Sequence, residues 1–274
     1  MRGKVARDRH HEENGAAWDI VARAKYEAER EEHIEFLRAG GHTLLVPEIE
    51  ALGPYLSRAH VVHLQCSHGL DALGLLNLGA GSVTGIDISP TMIRQAQQKA
   101  SALGRSATFV CADVLEVPAH FDGSADIVYT GKGALPWMMD LKAWAKVIAR
   151  LLRRGGRVFI FEGHPLDALW ERESDLLELR QDAEYFDPVP RESPGFPAEL
   201  LERELGPQRP RLVERFWTPA EVITSLLSAG LTLELFQEHP LLYWKQLPRW
   251  SEGLIARLPH SYSLLAVRHA ARSG

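Results

Sequence analysis

The run Val61-Val62-His63-Leu64, continued by Gln65-Cys66-Ser67-His68-Gly69 and closing on Gly85-Ile86-Asp87-Ile88-Ser89, constrains the fold of this chain more than any other segment. Val61, Val62 and Leu64 suit a strand buried on both faces, as a parallel sheet requires. Gly69 permits a close backbone approach where the chain turns into a helix. Leu70, Leu73, Leu75, Leu76 and Leu78 can cover the sheet before Gly79-Ala80-Gly81 ends that helix, and Ser82 to Ile88 reads as a second strand. A helix that starts directly after a strand turns its free N–H groups and positive dipole end toward an anionic group held above the loop. An acid closing the second strand, here Asp87, can accept hydrogen bonds from both hydroxyls of a ribose. The unit outlines a pocket for a nucleoside-bearing cofactor.

These residues resemble the first motif of the class I methyltransferases that use S-adenosylmethionine. There the strand and loop run apolar, apolar, Asp, apolar, Gly, any, Gly, any, Gly; here Val61 to Gly69 fill those places and only the last glycine is kept. A bacterial subset of the family has a loop similar to Leu64-Gln65-Cys66 with the later Gly69 and Asp71. The resemblance implies cofactor contacts from Gln65, Cys66, Ser67, Gly69 and Asp71, with His68 a further loop candidate. It implies ribose recognition by Asp87, adenine recognition by Asp113, and Ile88, Met92 and Val114 flanking the ring. His63 replaces the motif acid inside a strand and reads as a packed core histidine. Asp71 suits a first helical turn with or without a ligand.

Two rival classes share the acid after strand two. A nicotinamide-dependent oxidoreductase needs Gly-x-Gly-x-x-Gly against its pyrophosphate, and that spacing is absent. A cofactor without phosphates tolerates Gln65 and Ser67 better, because side chains and single amides can meet its amino-acid part. A non-catalytic S-adenosylmethionine-binding or regulatory protein is the second alternative.

Downstream, Ser89-Pro90 supplies a cap and first-turn proline to a helix striped by Met92, Ile93, Ala96 and Ala100 and ending near Gly104. Ala107 to Cys111, Ala125 to Tyr129 and Arg157 to Phe161 read as strands three to five. Thr218-Pro219-Ala220-Glu221 is a capping box. Leu231 to Phe236 and Tyr262 to Val267 read as strands six and seven. The expected fold is α/β: a Rossmann-like, doubly wound sheet of about seven strands. The resemblance adds an antiparallel last strand. The expected divisions are an N-terminal tail with lid helices over 1–58, a cofactor core over 59–163, an inserted cap or lid over 164–217 and the rest of the core over 218–274.

A formal net charge of -5 and the lack of a long basic run give no attraction for nucleic acid. Cys66 and Cys111 sit at the ends of expected buried strands without disulfide or metal-pair spacing, which fits a reducing cytoplasm. Met1 to Asn14 is charged, without the apolar core of a signal peptide or membrane span, and is expected to be mobile to about Glu13. No histidine spacing announces a metal. Expected partners are a small-molecule acceptor, neither nucleic acid nor membrane, and at most a second copy of the chain.

Two segments outside the sheet are free to build an acceptor site. One is an amphipathic helix from about Ala16 to Arg38 carrying Trp18 and Tyr26. The other is the interval His164 to Trp217, far longer than the roughly 2 to 6 residues of an ordinary α/β connection. It reads as a helix over Leu166 to Ala183, a Pro-rich turn from Asp187 to Pro197 and a short helix near Ala198 to Leu205. Trp18, Tyr26, Trp137, Trp170, Phe186, Trp217, Tyr243 and Trp244 are the aromatic candidates, favouring a small, partly flat acceptor with an oxygen or nitrogen nucleophile. Tyr129, Lys132, Trp137, Glu162 and His164 follow strands four and five, at the end where open sheets meet ligands. His164 is the candidate base and Tyr129 its companion; Tyr26, Lys132 and Trp137 are the substrate-binding candidates. Trp137 and Met138 also suit hydrophobic packing.

Overall fold

The alternating apolar runs form one sheet in the computed structural model, which describes residues 2–193, 198–206, 209–244 and 246–269. Its strands are β1 (His60–Leu64), β2 (Ser82–Asp87), β3 (Ala107–Cys111), β4 (Ala125–Gly131), β5 (Leu152–Gly163), β6 (Thr232–His239) and β7 (Ser261–Val267). Their order is β3-β2-β1-β4-β5-β7-β6. β1 to β5 pair in parallel, and β7 runs antiparallel between β5 and β6. The helices are α1 (Arg2–Val21), α2 (Arg30–Arg38), α3 (Val46–Leu56), α4 (Leu70–Asn77), α5 (Pro90–Leu103), α6 (Leu141–Leu151), α7 (Ala198–Leu205), α8 (Pro219–Ser228) and α9 (Glu252–Ile255).

The period of two along each strand sorts side chains into two cores. Val62, Leu64, Val128, Val158 and Ile160 pack with Trp144 and Ile148 of α6 and with Val222 and Leu226 of α8. Val61, Ile127, Phe159 and Phe161 pack with Leu52 of α3, Leu73 and Leu75 of α4 and Ala96 of α5. From β1 the strand order runs outward through β2 to β3, then returns to β4 on β1's other side. That reversal opens a crevice at the carboxyl ends of β1 and β4.

Several local expectations change. The segment expected to be mobile to about Glu13 is helical from Arg2. The single helix expected over 16–38 is broken: α1 passes into a π-helical turn, Ala22–Tyr26, before α2 begins. Gln95 Nε2 donates to the Ala22 carbonyl at 3.0 Å, and Glu27 N reaches the same oxygen, five residues back, at 3.2 Å. A π turn of this kind recurs at functional sites. β5 starts at Leu152 rather than at the expected Arg157, with a register shift against β4.

The helix expected over Leu166–Ala183 is only a 3-10 turn, Pro165–Leu169, followed by an excursion closed by a Trp170–Leu179 bridge. Leu176, Leu177 and Leu179 stay exposed there, so no apolar stripe is buried to stabilise a helix. α7 forms as expected, while Pro194 to Pro197 of the expected turn lie outside the described residues. Cys111, expected to be buried, is exposed. No helix among the described residues is long and apolar enough to cross a membrane.

Candidate active site

After Leu64 the backbone leaves extended geometry. Gln65 (φ 55°) and Ser67 (φ 50°) are left-handed, as is Lys132 (φ 55°) after β4, and all three line one cavity of about 300 Å³. Left-handed conformations in residues other than glycine cost about 1–2 kcal/mol each, and such strain collects at functional sites. Gly69 (φ 79°) does not line the cavity; an added Cβ there would lie 2.6 Å from the Ala96 Cβ, so the glycine is needed for packing against α5.

Asp87 stands at the end of β2. Its Oδ2 accepts from Ser67 N at 2.8 Å and its Oδ1 from Ser89 N at 2.9 Å. Each carboxylate oxygen retains a lone pair for a ligand hydroxyl. Burial pushes the Asp87 carboxyl up to about 6 against the pull of the Ser89, Ser67 and Ile88 N–H groups. Ile88, Met92, Asp113 and Val114 continue the wall from Asp87, and Gln65, Cys66, Ser67 and Asp71 form its other side.

The roof is α1, which contributes His11, Asn14 and Trp18, with Tyr26 from the π turn. His11 was expected in a mobile tail. Instead His11 Nδ1 donates to Asp113 Oδ2 at 2.6 Å and Nε2 accepts from Met139 N at 3.2 Å, which fixes the neutral ring's tautomer. Asn14 exchanges two hydrogen bonds of 2.8 Å with the backbone of Val213. Asp19 Oδ1 accepts from Ser89 Oγ and Thr91 N at 2.8 and 2.7 Å, seating α1 on the N-terminus of α5. Among the described residues, the interval 164–217 supplies no cavity wall. It backs the roof: Trp217 Nε1 donates to the Met138 carbonyl and Arg215 N to that of Pro136, both at 2.8 Å.

The loop after β4 closes the remaining side. Gly131 (φ 150°) is obligatory, because an added Cβ would sit 1.9 Å from the Phe161 carbonyl oxygen. Glu162 accepts from Gly133 N and Gly163 N on Oε1 and from Leu135 N on Oε2, so it shapes this loop rather than facing a ligand. Lys132 Nζ donates to the Thr43 carbonyl at 3.0 Å and Asp71 Oδ2 at 3.1 Å, with Glu48 Oε2 at 3.4 Å. Burial works to raise the Asp71 carboxyl, but Lys132, His63 and the Thr43 hydroxyl outweigh it and hold it below the usual range.

The two catalytic candidates do not line the cavity. Tyr129 donates to Glu48 Oε1 at 2.5 Å, and burial followed by the Glu48 charge raises its phenol well above the ordinary value. His164 Nε2 pairs with Glu238 Oε1 at 3.1 Å while its Nδ1 accepts from Leu166 N at 3.2 Å, so both nitrogens are committed to the turn after β5. Of the aromatic candidates, Trp18, Tyr26 and Trp137 line the cavity, and Trp18 meets Trp137 edge-on at 5.5 Å. Phe186 is 84% exposed, Trp217 is buried in the core, and Tyr243 packs behind Gly133 and Gly163.

His63, expected as a packed core histidine, is buried and packs edge-on against Tyr129 at 4.6 Å, yet also borders the site. It lines the cavity, its buried Nδ1 has no hydrogen-bond partner, and burial pushes the ring down to about 4. His63, His11, Asn14, Gly133, Ala134 and Met138 are cavity residues that the motif reading did not assign. Only Met138, beside Trp137 after β4, carried a usable positional signal. Groups of histidine, cysteine and acid that could hold a metal ion are absent among the described residues.

Residues 61–156 match the family model of the methyltransferase domain. The fold is similar to that of a Listeria monocytogenes protein proposed to be an S-adenosylmethionine-dependent methyltransferase, at 18% identity and TM-score 0.61, over 82% of this chain and 97% of that one. It is similar to an S-adenosylmethionine-dependent methyltransferase from Mesorhizobium loti at 20% identity and TM-score 0.59, over 81% and 96% of the two chains. It is also similar to geranyl diphosphate C-methyltransferase from Streptomyces coelicolor A3(2), at 14% identity and TM-score 0.54, over 81% and 78%. At such identities the likeness is one of fold.

Proposed function

We propose that this chain, a class I S-adenosylmethionine-dependent methyltransferase, methylates an oxygen or nitrogen atom of a small, partly flat molecule held beneath α1. One observation carries the reading: Trp18 of the roof and Trp137 of the β4 loop meet edge-on in a cavity that Asp71, Asp87 and Asp113 also line. An aromatic, roofed cavity suits a small ligand, while its acids and the chain's net charge of -5 oppose a nucleic-acid backbone.

The residues present fit the cofactor. Asp87 keeps acceptor capacity for ribose hydroxyls, and Ile88, Met92 and Val114 offer an apolar slot beside it. Bound there, S-adenosylmethionine supplies an electrophilic methyl group on a sulfonium. The chain contributes alignment, exclusion of water and a field set by its acids. Holding two reactants in register is worth on the order of 7 to 11 kcal/mol in favourable intramolecular systems, so no strong base is required. The aromatic faces of Trp18, Tyr26 and Trp137 favour positive charge in the cavity. His63, neutral at physiological pH, offers an acceptor nitrogen to the N–H or O–H of a nucleophile without competing as a cation.

The test is incubation with methyl-labelled S-adenosylmethionine and a metabolite extract, followed by mass spectrometry of labelled products. Label on oxygen or nitrogen of a small molecule is expected. Label in nucleic acid, in protein or on carbon overturns the acceptor class. Tight cofactor binding with no labelled product makes the chain a binding protein instead.

A further inference from the structure

Beneath the loop after β1 lies a lysine with no acid beside it. Lys99 of α5 is fully buried, and its two hydrogen-bond acceptors both belong to His68: Nδ1 at 2.8 Å and the carbonyl oxygen at 2.9 Å. A buried ammonium held only by neutral acceptors is costly unless an anion offsets it. An ammonium has only donors, so His68 Nδ1 is the acceptor and the ring proton sits on Nε2. Among the described residues, no other side chain engages the ring through its nitrogens. It is held by faces, at 4.2 Å from Tyr26 and stacked on His33 at 5.0 Å.

His68 lines the cavity directly before the N-terminus of α4, whose free N–H groups add positive potential. A cavity-lining ring is thus backed by a lysine at its Nδ1. Other charged groups acting on Lys99 or His68 are Glu29, Arg30, Lys25, His33, Cys66 and Asp71. Asp71 is already committed to Lys132 and Thr43. None of them supplies the missing counter-charge in contact with Lys99.

We infer that His68 recognises the carboxylate of the cofactor's amino-acid tail and that Lys99 is the positioning residue behind it, so that cofactor binding takes up a proton at this pair. This rests on the cofactor reading above. Burial lowers the Lys99 ammonium to about 7, so at pH 8 the free protein holds it largely neutral. A carboxylate on the far side of His68 draws a proton back onto Lys99. Affinity is therefore greatest below about pH 7 and falls as pH rises, until the lysine of the complex also deprotonates.

The test is calorimetry with S-adenosylhomocysteine and with 5′-methylthioadenosine, which keeps the nucleoside and thioether but lacks the amino-acid tail. Wild type, Lys99→Met, Lys99→Arg, His68→Ala and His68→Gln are compared at pH 6.5 and 8, each in two buffers of different ionisation enthalpy. Loss of a hydrogen bond to a charged group predicts a roughly 10- to 100-fold loss for S-adenosylhomocysteine in Lys99→Met and His68→Ala. Their affinity for methylthioadenosine should stay within about twofold, and His68→Gln, which keeps an N–H donor, should recover part of the loss. Wild type should take up a proton on binding S-adenosylhomocysteine at pH 8; Lys99→Met should not. Equal losses for both ligands, or unchanged affinity and no proton uptake in folded variants, overturn the inference. Wild type binding neither ligand overturns the cofactor reading itself.

Discussion

Replacing Asp87 tests the cofactor assignment at its strongest point. The carboxylate already accepts Ser67 N on one oxygen and Ser89 N on the other, which fixes its plane across the carboxyl ends of β1 and β2. Two ribose hydroxyls donating to the remaining lone pairs contribute about 1.5–3 kcal/mol each, since the acceptor is charged. Asp87→Ala should therefore weaken S-adenosylhomocysteine binding by about 3–6 kcal/mol, or roughly 10²- to 10⁴-fold. Asp122→Ala is the control, because Asp122 pairs with Arg150 at the surface and lies outside the cavity. Its affinity should stay within about threefold of wild type, as expected where a surface ion pair contributes ~0–1 kcal/mol to stability and nothing to the ligand. Asp87→Asn, which keeps one carbonyl acceptor, should fall between. The pH dependence has a definite sign: burial raises the free carboxyl to about 6, and ribose hydroxyls bind its ionised form. Through Asp87, affinity should rise with pH up to about 6, below the range in which deprotonation of Lys99 near 7 lowers it again. Calorimetry on variants with matched circular dichroism decides the matter. Wild-type affinity in a folded Asp87→Ala would remove Asp87 from the cofactor site.

Three further outcomes are expected. In the free protein, Lys99 titrates near 7 instead of 10.5, so the unfolded chain binds more protons between those values and wild-type stability rises with pH across that window. Lys99→Met should thus be more stable than wild type near pH 6.5, by up to the order of 5 kcal/mol, with the gap in Tm narrowing toward pH 10; a gap independent of pH contradicts the buried-charge account. Gly131→Ala should lose about 3 kcal/mol or more, because its Cβ collides with the Phe161 carbonyl across the β4–β5 ladder, and an unchanged urea midpoint would refute that geometry. His11→Ala releases both Asp113 and Met139 N from the roof and should speed dissociation of S-adenosylhomocysteine by about 5- to 30-fold in stopped flow, whereas Arg9→Ala, with its side chain 74% exposed, should not.

What the chain announced by itself was periodic or punctuated. Apolar runs marked the strands, Gly104 ended a helix in a left-handed turn, and Thr218 with Glu221 closed the capping box. Asp87 was legible because strand, loop, helix and strand place an acid at one point by local geometry alone. The roof was not legible: His11 meets Asp113, and Asn14 meets Val213, across separations that no local pattern encodes. Tyr129 and His164 were credible from their places after strands, yet Glu48 of α3 and Glu238 of β6 claim them. The helix expected at Leu166–Ala183 failed for the converse reason, since a helix-compatible composition found no surface on which to bury its leucines. His63 and Lys99 look like ordinary members of a strand and a helix in one dimension. Only the folded chain turns the first into a cavity-lining ring with an unpartnered Nδ1 and the second into a buried lysine behind another ring, because burial and partner geometry belong to the tertiary structure.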